Sequence, residues 1–454
     1  MAGNKHPRRR RHSGLERLKS LLIVLLTLSA LALTLRVLLF NELAGQGPRG
    51  WLDNLTSLFR QEQTVSTGDP GGSIQSSAAA QPVRLSVSDG SERFAVQYDT
   101  AQTDQMFSSL GILLSEALSS AAAPSEVTEQ AWRDALCAPG VWFDFLGDIP
   151  LEALYAWMVE GGSNPNLTAA ARQVAVARDD GGGVSLYYHN VEDGLYYACR
   201  TAVAYEGHMD ELVTGYGGNG ASFVFELEEG GGYDGLDPYV LLSASTPSPA
   251  VFRASTPLSG TDTNAVSALQ ESLSFQVSSD AIYAIPGGLR LRLGRETLEI
   301  GGDGTVTYHT SEELPIRYPV GEDGYTVTEL VETTRRLAAD TVGRTCGAAR
   351  LYLAGVETGE DGAVTVSFGY SLNGAAVLLP ADGCAARFTV QDGQITDYTL
   401  RFREYEETAE HSLLLPERQA AAAALDALSP EGRELLLCYT DNGGDTVQAG
   451  WVAR

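Results

Sequence analysis

ARFTVQDGQITDYTLRF, Ala386 to Phe402, reads as a strand, an Asp392-Gly393 turn and a second strand. Downstream, LPERQAAAAALDAL (Leu415–Leu428) has helical character with Pro416 in its first turn. Glu434–Tyr439 and Thr446–Val452 then close a hairpin across Asn442-Gly443-Gly444. The same order occurs upstream. Thr297–Tyr308 (TLEIGGDGTVTY) is strand, Asp303-Gly304 turn, strand, and Thr326–Val342 is an amphipathic helix that Thr326 or Thr328 can cap. Ala349–Gly355 and Ala363–Tyr370 pair across Glu360-Asp361-Gly362. Each helix has one apolar stripe to bury against an antiparallel sheet, so the fold class is α+β, built of repeated antiparallel-sheet-plus-helix modules.

Nearer the N-terminus, Val83–Tyr98 alternates apolar and polar residues around Asp89-Gly90, a hairpin signal, and Thr103–Ser120 has helical spacing. Gln173–Arg178, Val184–Tyr188, Leu195–Val203 and Ser222–Leu227 follow as strands punctuated by Gly. Ahead of all this lies SLLIVLLTLSALALTLRVLLF, Ser20 to Phe40. At ~1.5 Å per residue such a helix covers about 30 Å, one hydrocarbon core. The flank before it carries Lys5, Arg8, Arg9, Arg10, Arg11, Arg17 and Lys19 against Glu16, so the positive-inside rule keeps that end cytoplasmic and exports the rest. Ala30-Leu31-Ala32 has the form of a cleavage site, but the apolar run continues to Phe40, which favours an uncleaved anchor. No Cys near the helix end permits a lipoprotein anchor.

The expected organisation is therefore a basic cytoplasmic tail (1–19), a transmembrane helix (20–40) and an amphipathic segment with a flexible linker (41–82). An N-terminal exported domain (83–258) and two α+β modules (259–375 and 376–454) follow. Trp51, Leu52, Leu55, Leu58 and Phe59 supply the apolar face of the amphipathic segment, and Gln61–Gln81 is rich in Ser, Gly, Ala and Thr.

Charge narrows the partners. The chain carries 31 basic and 58 acidic residues, net −27. The first 40 residues hold 8 of the basic and 1 of the acidic groups, which leaves 23 basic and 57 acidic, net −34, for the remainder. Such a surface disfavours nucleic acid and anionic headgroups. Both lysines precede the helix, and beyond it every basic side chain other than His is Arg.

Candidate chemistry is sparse. HExxH, G-x-S-x-G and S-x-x-K are absent from the sequence. His208 and Asp210 could give two metal ligands, but nothing at supporting spacing completes a site, and no metal or cofactor is expected. The acidic pairs Asp179-Asp180, Glu228-Glu229, Glu312-Glu313 and Glu406-Glu407 invite a glycosidase reading. Neighbours on a strand point to opposite faces, however, and several pairs adjoin Gly-rich turns, so solvated loop charge is expected. The five cysteines (137, 199, 346, 384, 438) form no CxxC; most are expected as buried thiols, with Cys346–Cys384 or Cys384–Cys438 as possible pairs. Asn54 and Asn166 stand in glycosylation sequons. Arg36 lies four residues from the outer end of the span. It either snorkels to the interface or contacts a partner transmembrane helix, and it is the one candidate partner contact in the span.

The segments FGYSLNGAAVLL (Phe368–Leu379), ARFTVQDGQITDYTLRF, LLLPERQAAAAALDAL (Leu413–Leu428) and LLLCYTDNGGDTVQAGWVAR (Leu435–Arg454) resemble the YycH/YycI regulators of Gram-positive bacteria. ALCAPGVWFDFLGDIPLEALYAW (Ala135–Trp157) is similar to the YycH N-terminal domain, which favours YycH over the shorter YycI. The resemblance implies PepSY-like exported modules and no catalysis. It further implies association with a sensor histidine kinase of the YycG/WalK type, alongside a YycI-like protein, in the control of cell-wall metabolism. The kinase contacts would lie in the transmembrane helix and the exported modules. The alternative is a membrane-tethered extracellular protein that binds a ligand or acts on the cell wall.

Overall fold

In the computed structural model the described residues are 79–454, apart from 228–232, 234, 259–261, 311–316, 322–323, 428–433 and 454. The tail, span and amphipathic segment expected over 1–60, with Arg36, lie outside them, as does the linker up to residue 78.

The first sheet holds seven antiparallel strands. They are β1 (Arg84–Ser88), β2 (Arg93–Gln97), β3 (Ser125–Val127), β4 (Gly140–Pro150), β5 (Ala170–Arg178), β6 (Val184–His189) and β7 (Tyr196–Arg200). Their spatial order is β2-β1-β4-β5-β6-β7-β3. Helices α1 (Thr100–Ser120), α2 (Glu129–Cys137) and α3 (Leu151–Met158) cover it. Asp99 caps α1 by accepting from the Gln102 N–H, and Leu110, Leu113, Leu114 and Leu118 bury one stripe. That stripe joins Val141, Phe143, Val174, Val176 and Leu186 in the main core. On the opposite face Trp132 and Leu136 of α2 pack with Trp142, Ala175, Ala177 and Tyr187. Burial on both faces is why GVWFDFLGDIP lacks the alternation of a half-exposed strand.

After a turn of helix, α4 (Asp210–Val213), and a small ribbon of β8 (Ser222–Phe223) with β9 (Leu241–Leu242), the chain enters the second sheet through β10 (Ala250–Ser255). Helix α5 (Thr263–Ser272) precedes β11 (Ile282–Ile285), β12 (Gly288–Leu293), β13 (Glu296–Gly301) and β14 (Thr305–Thr310). Helix α6 (Val327–Asp340) follows, then β15 (Arg350–Thr358), β16 (Val364–Leu372), β17 (Ala375–Leu378), β18 (Ala386–Gln391), β19 (Gln394–Arg401) and β20 (Glu404–His411). Helix α7 (Glu417–Ala427), β21 (Leu435–Thr440) and β22 (Thr446–Ala453) end the chain. The order is β11-β12-β13-β14-β19-β18-β16-β17-β21-β22-β10-β20, with β15 on the other side of β16.

The α+β class and the repeated element order are present, and of the two candidate caps Thr326 starts α6, in a reciprocal box with Glu329. The strands do not segregate by the expected boundaries, however. β14 pairs with β19, β17 begins at Ala375, and β10 pairs with β20 and β22, so one sheet interleaves all three expected exported segments. The reason is the free edge of each hairpin, which finds its neighbour across the chain rather than within its own repeat. Ser222–Leu227 is strand only over Ser222–Phe223 before turning. One buried cluster continues from Leu85 and Leu114 to Val366 and Leu400, uniting the two sheets.

Where the sheets meet, β4 and β15 both carry an irregularity in register, and their backbones touch. A Cβ on Gly147 would lie 2.0 Å from the Leu353 carbonyl oxygen, so only glycine permits this approach.

Candidate functional site

The second feature of this junction is a buried ionic network. Asp144 on β4 is fully buried; its Oδ1 accepts from the Leu146 N–H (2.7 Å) and from Arg172 Nε (3.2 Å). Oδ2 accepts from Arg172 Nη2 (3.1 Å) and lies 2.8 Å from Arg84 Nη2. Arg172 on β5 reaches on to Glu434 at the start of the last hairpin, with Nη1 to Oε2 at 2.7 Å and Nη2 to Oε1 at 2.5 Å. Burial alone would raise the Asp144 carboxyl, but the Arg172 and Arg84 charges outweigh it and hold it below its ordinary value. Glu434 is held down in the same way by Arg172. These carboxylates are paired with Arg, Asp144 also accepting from the Leu146 N–H and Gln173, and their chemistry is to clamp the sheets.

Beside it, Tyr98 at φ +61° sets its ring edge-on to Trp451, centroids 6.4 Å apart. Trp451 Nε1 donates to the Leu415 carbonyl at 2.9 Å. Glu417, 8 % exposed at the start of α7, accepts the Ser243 N–H at 3.1 Å, and burial pushes its carboxyl up to about 7. An apolar pocket of about 410 Å³ opens next to these residues, lined by Leu413, Leu415, Leu435, Trp451 and Ala453. A second groove of about 650 Å³ runs along α1, lined by Ser115, Glu116, Tyr155, Val159, Val203 and His208.

The candidate residues of the sequence are dispersed. His208 Nε2 meets Glu116 Oε2 at 2.7 Å, while Asp210 accepts the His208 backbone N–H; the two do not converge on a common point. Among the described residues no group of three His, Cys, Asp or Glu side chains could hold a metal ion. Asp179 caps a turn by accepting from the Gly183 N–H and the Ser185 hydroxyl. Glu406 and Glu407 lie on β20 rather than in a loop, where Glu406 pairs with Arg253 across the ladder at 2.6 Å. Glu228-Glu229 and Glu312-Glu313 fall outside the described residues. Cys199, Cys346 and Cys438 are buried, Cys384 is half-buried and Cys137 exposed; neither candidate pair is a disulfide. Asn166 is engaged, its Nδ2 donating to the Ala121 carbonyl at 3.0 Å.

Arg84, Asp144, Arg172 and Glu434 drew no notice in the sequence. Arg172 and Glu434 are 262 positions apart, and nothing local to either marks it as half of a pair. The one hint was an Asp inside the apolar run of GVWFDFLGDIP, which a buried strand tolerates only with a partner.

Among the described residues, a seven-stranded sheet is joined through a buried ionic clamp to a large mixed sheet, with helices packed on both. The solved structure of YycH from Bacillus subtilis matches with a TM-score of 0.53 at 12% sequence identity, over 83% of this chain and 94% of that chain. The fold of this chain is thus YycH-like. No protein-family model and no curated protein sequence matches it.

Proposed function

We propose that this chain is a non-enzymatic, membrane-anchored regulator that binds and tunes a sensor histidine kinase of the YycG/WalK type controlling cell-wall metabolism, with a YycI-like protein as a second partner. The observation that carries this reading is the YycH fold, matched over nearly the whole length of that structure. The basic flank and apolar run over 1–40 support an anchor at the cell membrane, N-terminus inside and body outside. Among the described residues no helix is long and apolar enough to span a membrane, and the proposed span lies outside them. Photo-crosslinking probes along Leu21–Phe40 in native membranes, with mass-spectrometric identification, test the reading. A histidine kinase is the expected capture, lost when the helix is exchanged for an unrelated span. Arg36→Leu should weaken that association and leave insertion intact; unchanged association removes Arg36 from the contact. The apolar pocket at Trp451 favours a second reading, a tethered extracellular ligand-binding protein, which recovery of lipid alone from the span would promote.

A further inference from the structure

Among the described residues, five strands end the two large sheets: β2, β3, β11, β15 and β20. A free edge is a template for another strand, and proteins block it with charge, cover or distortion. Four of the five are blocked. Asn219 laces onto β2, donating from its backbone N–H to the Arg93 carbonyl and from Nδ2 to the Ala95 carbonyl, and accepting the Ala95 N–H. β3 has three residues and carries the exposed Glu126. β15 lies against the β4 backbone at Gly147. β20 carries Glu404, Glu406, Glu407 and Glu410, and the Cys346–Ala348 segment bonds its outer side at Tyr405.

The fifth edge, β11, reads IYAI, with no charge and no proline, and its ladder to β12 is unbroken from Ile282↔Leu291 to Ile285↔Gly288. A two-residue Pro286-Gly287 turn makes Ile285–Gly288 and Tyr283–Arg290 the hydrogen-bonded pairs. The N–H and C=O of Ile282 and Ala284 therefore face outward. Among the described residues no strand pairs with that side. Tyr283 is half exposed beside it.

Charge identifies what fits there. In a chain at net −34 beyond residue 40, RLRLGR puts Arg290, Arg292 and Arg295 within six positions of this hairpin, all exposed. Arg290 and Arg292 share a face with Tyr283, and Arg290 is partly neutralised by Glu299 at 2.7 Å. A strand laid beside β11 would sit about 10 Å from β12, two strand spacings, a gap an extended Arg–Glu pair spans. We propose that β11 is an acceptor edge for strand addition by an extended acidic segment of an exported partner protein, with backbone bonds at Ile282 and Ala284 supplying the attachment and Arg290 and Arg292 selecting the sign of charge. The inference does not depend on which partner the proposed function names.

The probe is a fluorescent nonapeptide of alternating Val and Glu, titrated by anisotropy against the full chain in nanodiscs. Its controls are a Lys-for-Glu version and a version N-methylated at alternate amides. The Glu peptide should bind, with the Lys version at least about tenfold weaker, and Arg290→Ser with Arg292→Ser should weaken it about fivefold. Ala284→Pro, which removes an outward N–H from an edge strand, should abolish binding, as should N-methylation of the peptide. The methylated peptide carries the same test on the unaltered chain if the proline variant misfolds. No binding, equal binding of both charge types, or indifference to methylation overturns the proposal. Self-association lost in Ala284→Pro without peptide binding overturns it in favour of a second copy at this edge.

Discussion

Glu417 provides a test of the junction with a defined sign. Its carboxyl is buried at the start of α7, engaged by the single Ser243 N–H, and titrates at about 7 against an ordinary 4.5. The folded chain thus holds this proton over a pH range where the unfolded chain has released it. Below about 4.5 both states are protonated and there is no penalty; as pH rises towards 7 folding is progressively penalised, and above 7 the penalty is constant. The gap corresponds to about 3 kcal/mol. Glu417→Gln keeps an acceptor for the Ser243 N–H and removes the ionisation. The variant should match the parent near pH 4.5 and exceed it by up to about 3 kcal/mol at pH 8. For a body of this size the entropy of unfolding is about 0.8 kcal/mol per kelvin, so the melting temperature should rise about 4 °C at pH 8. Parallel urea and thermal unfolding across pH 4.5–8 measures it. A variant whose advantage is independent of pH, or whose curves coincide with the parent's throughout, would refute the assignment of a buried, proton-holding carboxyl.

Three further substitutions probe the same architecture. Gly147→Ala places a methyl 2.0 Å from the Leu353 carbonyl oxygen and should cost about 3 kcal/mol, read as a lower urea midpoint. Asp144→Asn leaves Arg172 and Arg84 facing a neutral amide at a buried position and should cost about 3–5 kcal/mol at pH 7. Because Asp144 is depressed in the folded state, that difference should shrink as the parent is acidified below the usual carboxylate range, which acid titration of both proteins by circular dichroism checks. Thr326→Ala removes the hydroxyl that accepts the Glu329 N–H and should cost about 1 kcal/mol by chemical denaturation.

The local grammar of the chain was legible. Hairpins at Asp89-Gly90, Asp303-Gly304 and Asp392-Gly393 form where the turn chemistry placed them, because Gly90, Gly304 and Gly393 supply the positive φ that such turns demand. The stripe on α1 follows from spacing alone, whereas spacing offered both Thr326 and Thr328 as the cap that Thr326 provides. Sheet membership was not legible, because pairing such as β14 with β19 depends on which edges remain free after the local hairpins close. Strand β20 was missed for a related reason. EYEETAEH exposes most of its side chains at a sheet edge, so its sequence carries charge where a strand pattern is sought. The clamp at Asp144 was out of reach because buried charge is meaningful only with its partner, and here the partner lies hundreds of residues away.

These long-range ties decide how a binding event could propagate through the body. Arg84 near its start and Glu434 near its end meet around Asp144 and Arg172, Trp157 of α3 donates to Glu332 of α6 at 3.0 Å, and a common core passes beneath both sheets. Close-packed interiors of this kind deform little. Among the described residues, strands from both sides of the expected boundaries 258/259 and 375/376 pair within one sheet, which ties those segments of the body together. A partner held at one edge would then act on the whole of it, and the point of attachment matters more than any change of shape within. That is the mechanical reason for seeking contacts at its rims, at β11 and along the α1 groove, rather than in its interior.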